Sequence, residues 1–148
     1  MPVEKVERGT ERARELLRFV ETCSWTEVRD HVAQMIRDWA FEDWETMFAA
    51  VRDGRIVGMA SILKTDYYPL PEITPWVSCI FVTEEYRGQG ICGELIDCAN
   101  RCLKAAGFSR SYIPTGISGL YERYGYRYLR DIVNYGGEVD RLYGKDLD

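Results

Sequence analysis

Residues Gly88-Gln89-Gly90-Ile91-Cys92-Gly93 spell G-x-G-x-x-G at the head of a segment with helical apolar spacing. Glycines so spaced let the backbone turn tightly and present its N–H groups, with the positive end of a helix, to a phosphate. Arg87 stands at the mouth of this turn, where a guanidinium adds a charge-assisted hydrogen bond to the same anion. The chemistry available here is therefore the holding of a phosphate or pyrophosphate. A dinucleotide site would need an acidic residue roughly 20 positions on, at the end of the next strand. That strand ends Tyr112-Ile113-Pro114-Thr115, with no acid. A Walker A loop needs Gly-Lys followed by Ser or Thr, and the sequence contains none.

The groups able to move protons are few. His31 is the single histidine, so Ser-His-Asp and Cys-His chemistry would have to use it, and multi-histidine metal sites cannot be built. On a helix among apolar neighbours, His31 reads as structural. The five cysteines, Cys23, Cys79, Cys92, Cys98 and Cys102, are odd in number and lack Cys-x-x-Cys spacing, which argues against a disulfide framework and a zinc site. Cys98 and Cys102, four apart, read as thiols buried on one helix face. Cys92 stands at a helix N-terminus, where the thiol pKa is expected to be lowered. It should then alkylate readily in the free protein; no base is evident that would make it a nucleophile.

Carboxylates, tyrosines and water remain for acid–base work. Glu72, in Pro71-Glu72-Ile73-Thr74-Pro75, precedes a strongly apolar segment and is the leading candidate base. Asp66, Glu84 and a chain of waters are the alternatives.

Two motifs carry a resemblance. Val82-x-x-x-x-Arg87-Gly88-Gln89-Gly90-Ile91-Cys92-x-x-Leu95 resembles the acyl-CoA pyrophosphate signature of the GNAT superfamily of N-acetyltransferases, R/Q-x-x-G-x-G/A. Leu120-Tyr121-Glu122-Arg123-Tyr124-Gly125-Tyr126 is similar to the family's second signature, one helix and one strand downstream. Cys92 departs from the usual Gly or Ala but is still small. The resemblance covers roughly residues 45–143. It implies acetyl-CoA as co-substrate, no metal, and direct attack of an amine on the thioester. By the same resemblance, Ile80, Phe81 and Val82 would offer backbone amides to the thioester and pantetheine, residues 87–93 would hold the pyrophosphate, and Tyr121 would be general acid to the departing thiolate. A phenol of pKa about 10 is protonated at neutral pH and close enough to a thiol for that transfer. Tyr124, Tyr126 and Tyr128 are expected to pack. A non-catalytic acyl-CoA-binding or sensing domain is the alternative on the same fold, and a nucleotide binder is a third reading.

The elements that must position these groups follow from periodicity. Thr10 is an N-cap for a helix over 11–23, and Ser24-Trp25-Thr26-Glu27 matches a capping box for a second with Val28, Val32, Met35, Ile36 and Trp39. Strands over 46–52 and 55–64 flank Asp53-Gly54, a hairpin pair. Residues 66–75, with three prolines, form a loop. Residues 76–82 are apolar at nearly every position, as in a strand buried on both faces. A helix from Ile91 ends at Gly107, followed by a strand over 110–113 closed by Pro114, a short helix near 117–123, and strands over 127–133 and 138–143. The strand–helix–strand unit implies one parallel pair, the hairpins antiparallel ones. The fold class is α+β, a mixed and mostly antiparallel sheet flanked by helices, of the GNAT acyl-CoA N-acyltransferase type. In the family, the first two helices and the loop before the buried strand form the acceptor cleft, where Trp25, Trp39, Trp44, Tyr67 and Tyr68 are available.

Composition is compatible. With 148 residues, 46% hydrophobic and 29% charged, the chain reads as one folded domain over its whole length. A net charge of −5 counts against a nucleic-acid partner and weakly favours a cationic amine, small or on a peptide or protein. The charged N-terminus lacks a signal-peptide core, and no apolar run approaches the roughly 20 residues that span a bilayer, so no membrane partner and a cytoplasmic location are expected. Exposed aromatics or a terminal strand would support a homodimer, and oligomeric state stays open.

Overall fold

The computed structural model describes residues 3–148. Its elements in chain order are β1 (Val3–Lys5), α1 (Glu11–Thr22), α2 (Thr26–Asp38), β2 (Thr46–Arg52), β3 (Arg55–Leu63), β4 (Trp76–Val82), α3 (Ile91–Ala105), β5 (Arg110–Thr115), β6 (Arg127–Val133) and β7 (Val139–Asp146). Single 3-10 turns occur at Glu84–Tyr86 and Tyr121–Tyr124. The seven strands form one sheet in the order β1-β2-β3-β4-β5-β7-β6. The β4–β5 pair is parallel and the others are antiparallel. This is the mixed sheet expected from the sequence.

Helices cover both faces of the sheet. Leu95, Ile96, Ala99 and Leu103 of α3 pack with Ala60, Ile62, Val77 and Val82 on one face, while Leu16, Val20, Val32 and Ile36 of α1 and α2 pack with Met59, Leu63 and Phe81 on the other. β4 feeds both layers, which explains its unbroken apolar run. A smaller cluster of Ile73, Trp76, Ile132 and Leu142 ties the loop before β4 to β6 and β7.

Local signals behave as chemistry dictates. The Thr10 hydroxyl accepts the Ala13 N–H at 3.2 Å and caps α1. Asp53 and Gly54 both have positive φ, 53° and 74°, as a two-residue hairpin turn of this kind requires. Gly107 ends α3 with φ 100°.

Several expectations need correction. No capping box opens α2: its N-cap is Trp25, without a side-chain bond, and the Ser24 hydroxyl faces Glu84 instead. The Trp25 ring stacks on Phe81 at 6.2 Å and 15°, and that burial outweighs a cap worth about 1 kcal/mol. β5 is not closed by Pro114 but runs on to Thr115, and β7 continues to Asp146, because the two strands ladder along their whole length. The helix near 117–123 shrinks to the 3-10 turn at Tyr121–Tyr124, ended by Gly125 at φ 88°. His31 is exposed, and Cys98 and Cys102 are only half-buried.

Candidate active site

The site begins where β4 leaves β5. A bulge at Cys79, with φ 53°, shifts the register of β4 against β3, so that Phe81 and Val82 lie opposite Met59 and Gly58 while Ser78 lies opposite Ser61. On its other edge β4 pairs with β5 only through Trp76 and Tyr112. The Tyr112 N–H donates to the Pro75 carbonyl at 3.0 Å. Successive N–H groups alternate sides of a strand, so the next donor toward β4 would come from Pro114, which has none. The parallel ladder stops, the strands diverge, and the half of β4 that holds Ile80, Phe81 and Val82 is left with an edge to which an extended ligand can add. Cys79 and Ile80 are correspondingly half-exposed.

At the end of β4 stands the glycine turn. Gly88 and Gly90 have φ of 79° and 81°, and a Cβ at either would meet no atom within 4 Å. Glycine is needed for the backbone conformation, and the space beside the α-carbons of Gly88 and Gly90 is open, as a phosphate cradle must be. Gly90 is the N-cap of α3 and makes no side-chain cap bond, so the first-turn N–H groups are available to an anion. The one acid in that turn, Glu94, is paired with Arg52 at 2.6 Å. Arg87 is fixed in place: its Nε donates to the Val82 carbonyl at 2.8 Å and its guanidinium lies 5.5 Å over the Phe81 ring. The donor set therefore fits a pyrophosphate group.

The two sequence motifs meet in space. A Cβ on Gly93 would lie 2.9 Å from the Tyr124 ring, so the absence of a side chain lets the 3-10 turn press against α3. Tyr124 faces the Cys92 thiol, and Tyr121, 8% exposed, lies in the field of Cys92 as well. Burial raises the Tyr121 phenol above its ordinary value, with smaller contributions from Cys92 and Tyr124. Burial also raises Cys92, against the expectation from the helix end: half-withdrawal from water outweighs the α3 dipole. Tyr126 anchors the segment, its hydroxyl 2.7 Å from Ser111 Oγ and accepting from Asn100 Nδ2 at 2.9 Å. Tyr128 is exposed on one side and edge-packed on Tyr143 at 6.0 Å on the other.

Around the β4 edge, Ser24, Trp25, Glu27, Ile80, Phe81 and Arg87 line a cleft of about 300 Å³. Trp39 packs on Phe41 and Trp44 on Phe108, so neither contributes to this cleft. Of the carboxylates, Glu72 is exposed, 4.0 Å from Arg130. Glu84 is held below its usual range by its own backbone N–H and by Ser24. Asp66 is recessed: Oδ1 accepts the Tyr67 N–H at 2.7 Å, Ser78 faces it, and burial raises its pKa. No local sequence pattern marks that recess, which depends on the loop after β3 folding back against Ser78 of β4. Among the described residues no group of three or more metal-binding side chains forms, and no helix is long and apolar enough to cross a membrane.

The comparisons agree with this architecture. No curated protein matches the chain. Among solved structures, an aminoglycoside 6'-acetyltransferase type Ii matches with TM-score 0.77 and 17% identity over 100% of this chain and 98% of that one. An aminoglycoside 6'-N-acetyltransferase complexed with coenzyme A matches at 0.75 and 14%, over 100% and 98%. The aminoglycoside 6'-N-acetyltransferase from Enterococcus faecium gives 0.75 and 15%, also over 100% and 98%. At these identities the likeness shows the fold. The family profile described as an acetyltransferase (GNAT) domain matches residues 43–128, more than half of the sequence, and with it the chain belongs to the GNAT acetyltransferase family.

Proposed function

We propose that this protein transfers the acetyl group of acetyl-CoA to a primary amine by direct attack. The observation that carries the reading is the junction of three features: the free edge of β4, the open glycine turn beside it, and Tyr121 packed against the head of α3. Acetyl-CoA, when bound, supplies an activated thioester. Arg87 and the backbone N–H groups of residues 88–93, which include Gln89, Ile91 and Cys92, hold its pyrophosphate. Backbone amides of Ile80–Val82 orient the pantetheine and polarise the thioester carbonyl, a stabilisation that acts strongly where water is excluded. Tyr121 stays protonated because burial disfavours the phenolate, and it donates that proton as charge develops on the departing sulfur.

The acceptor we propose is a cationic amine. The net charge of −5 draws such molecules, and three structural neighbours are aminoglycoside acetyltransferases, so amino sugars belong in the first panel alongside polyamines and peptides. The test is release of free thiol from acetyl-CoA across that panel. Turnover with at least one amine is the expected result. Coenzyme A binding without release on any amine would favour a sensing domain instead.

A further inference from the structure

We infer that Asp66 is the group that accepts the proton of the attacking amine, a role that rests on the acetyl-transfer reading above. Asp66 lies on the loop just after β3, yet its carboxylate is directed back at the β4 bulge. Its Oδ1 accepts the Tyr67 N–H at 2.7 Å, and the Ser78 hydroxyl of β4 faces it. Ser78 Oγ is 3.1 Å from Ser61 Oγ, which reaches the Ser78 carbonyl at 3.0 Å, and 4.0 Å from Cys79 Sγ. A buried polar chain thus joins Asp66 to the residue at which β4 turns away from β5. Cys79 registers the contact: its thiol is pushed up to about 12 by burial and, next, by the Asp66 charge, so it is no nucleophile.

Every element packed here contributes a group. α2 brings His31, β7 brings Asp140, β4 brings Ser78 and Cys79, and the loop itself brings Tyr68, whose hydroxyl donates to Asp140 Oδ2 at 2.6 Å. Burial raises the Asp66 carboxyl and Asp140 adds to it, while the Tyr67 N–H, Ser78 and His31 oppose. A carboxylate withdrawn from water is a stronger base than one on the surface, which is what separates Asp66 from exposed Glu72 and from Glu84.

The faces of the sheet supply the second argument. Tyr121 belongs to the α3 layer, whereas Cys79, which feels the Asp66 charge, packs with the α1–α2 layer. The proposed acid and base therefore approach β4 from its two different faces, which keeps the proton leaving the amine apart from the proton delivered to sulfur. The amine nitrogen forms its bond to the acetyl carbon, and the carbon–sulfur bond breaks. The amine proton passes to Asp66, and the sulfur takes a proton from Tyr121. Asp66 then loses its proton and the phenolate regains one through solvent, which restores both groups.

Asp66→Asn tests the assignment. With saturating acetyl-CoA and the best amine of the panel, kcat should fall about 100-fold, the scale of a lost general base. The acidic limb of the kcat profile, displaced above the ordinary carboxylate range in the wild type, should flatten. Coenzyme A affinity by calorimetry should stay within about twofold, since the residues that hold it are untouched. Asp30→Asn, at an exposed side chain of α2, is the control and should keep wild-type kcat. A second readout needs no turnover. A raised carboxyl pKa stabilises the fold at low pH and loses that contribution as pH rises through the folded value, so the Tm of D66N relative to wild type should increase between pH 4 and pH 8. A pH-independent difference overturns the assignment. So does a D66N enzyme that keeps its kcat and its acidic limb, or a limb that moves with Glu72→Gln and not with D66N. A wild type that turns over no amine overturns the transferase reading itself, and the base with it.

Discussion

Gly93→Ala tests whether the pyrophosphate turn and the Tyr121 segment act as one mechanical unit. The added Cβ would lie 2.9 Å from Tyr124 Cε1 and 3.4 Å from Cδ1. Carbon atoms in good contact are about 3.5–4.0 Å apart, so the ring must retreat by roughly 0.6 Å. Overpacking of this kind costs about 1–3 kcal/mol. Gly93 lies in the first turn of α3, where alanine recovers about 1 kcal/mol of helix propensity. The net is about 1 kcal/mol of destabilisation, or a Tm lower by about 2–4 °C in a domain of this size. The effect on turnover should be larger. Tyr121 shares a single 3-10 turn with Tyr124, so a displaced ring moves the phenol too, and shifts approaching 1 Å cost about 10–100-fold in rate. Thermal melts, thiol release and calorimetric coenzyme A binding on the same preparation separate these effects. If Tm rises by the full propensity gain while kcat is unchanged, the ring yields freely and the coupling is refuted.

Four other outcomes follow from the same geometry. Tyr121→Phe should lower kcat about 100-fold with little change in coenzyme A affinity, and an unchanged kcat would assign the ring to packing. Because burial raises the Tyr121 pKa, the wild type should show no alkaline loss of kcat from this group below about pH 10, its ordinary value. Cys92, raised by burial, should react slowly with iodoacetamide at pH 7 and more slowly still with coenzyme A bound; fast labelling that is indifferent to coenzyme A would displace it from the turn. Gly90→Ala should weaken coenzyme A binding at least tenfold while shifting Tm only modestly, because φ 81° strains alanine at the cradle and nothing packs there. Equal affinity would place the pyrophosphate elsewhere.

The glycine turn, its helix and the downstream tyrosine segment are legible in sequence because each is a local signal: positive φ demands glycine, and a 3.6 period marks α3. The mixed sheet follows from strand–helix–strand order and an Asp-Gly hairpin. What is not local is not legible. Ser24 satisfies a capping-box pattern, but Trp25 finds Phe81, 56 positions away in sequence, and the helix starts one residue later. Cys92 carries a helix-end signal that burial under Tyr124 reverses. Pro114 reads as a strand terminator, although it sits inside β5 because its missing N–H falls on the side where β4 has departed. Asp66 and Glu72 are indistinguishable as loop acids until the fold sets one half-buried against Ser78 of β4 and leaves the other exposed.

A protein with one exposed histidine must make its acid and its base from side chains whose ordinary pKa values lie far from neutrality. Burial is the shared means, and it acts on the two groups with opposite consequences for catalysis. Withdrawn from water, the Tyr121 phenol holds its proton above its ordinary range, as the proposed donor must. Withdrawn from water, the Asp66 carboxylate gains basicity and moves toward the pH at which it must work. The proposed mechanism works where the carboxyl is ionised and the phenol still protonated, and because both values are raised that window is moved upward at both ends. The sheet keeps the two groups on opposite faces, so neither neutralises the other. In the proposed mechanism, splaying β4 from β5 opens an edge for the thioester, and the two proton carriers serve it from the two layers that flank the sheet.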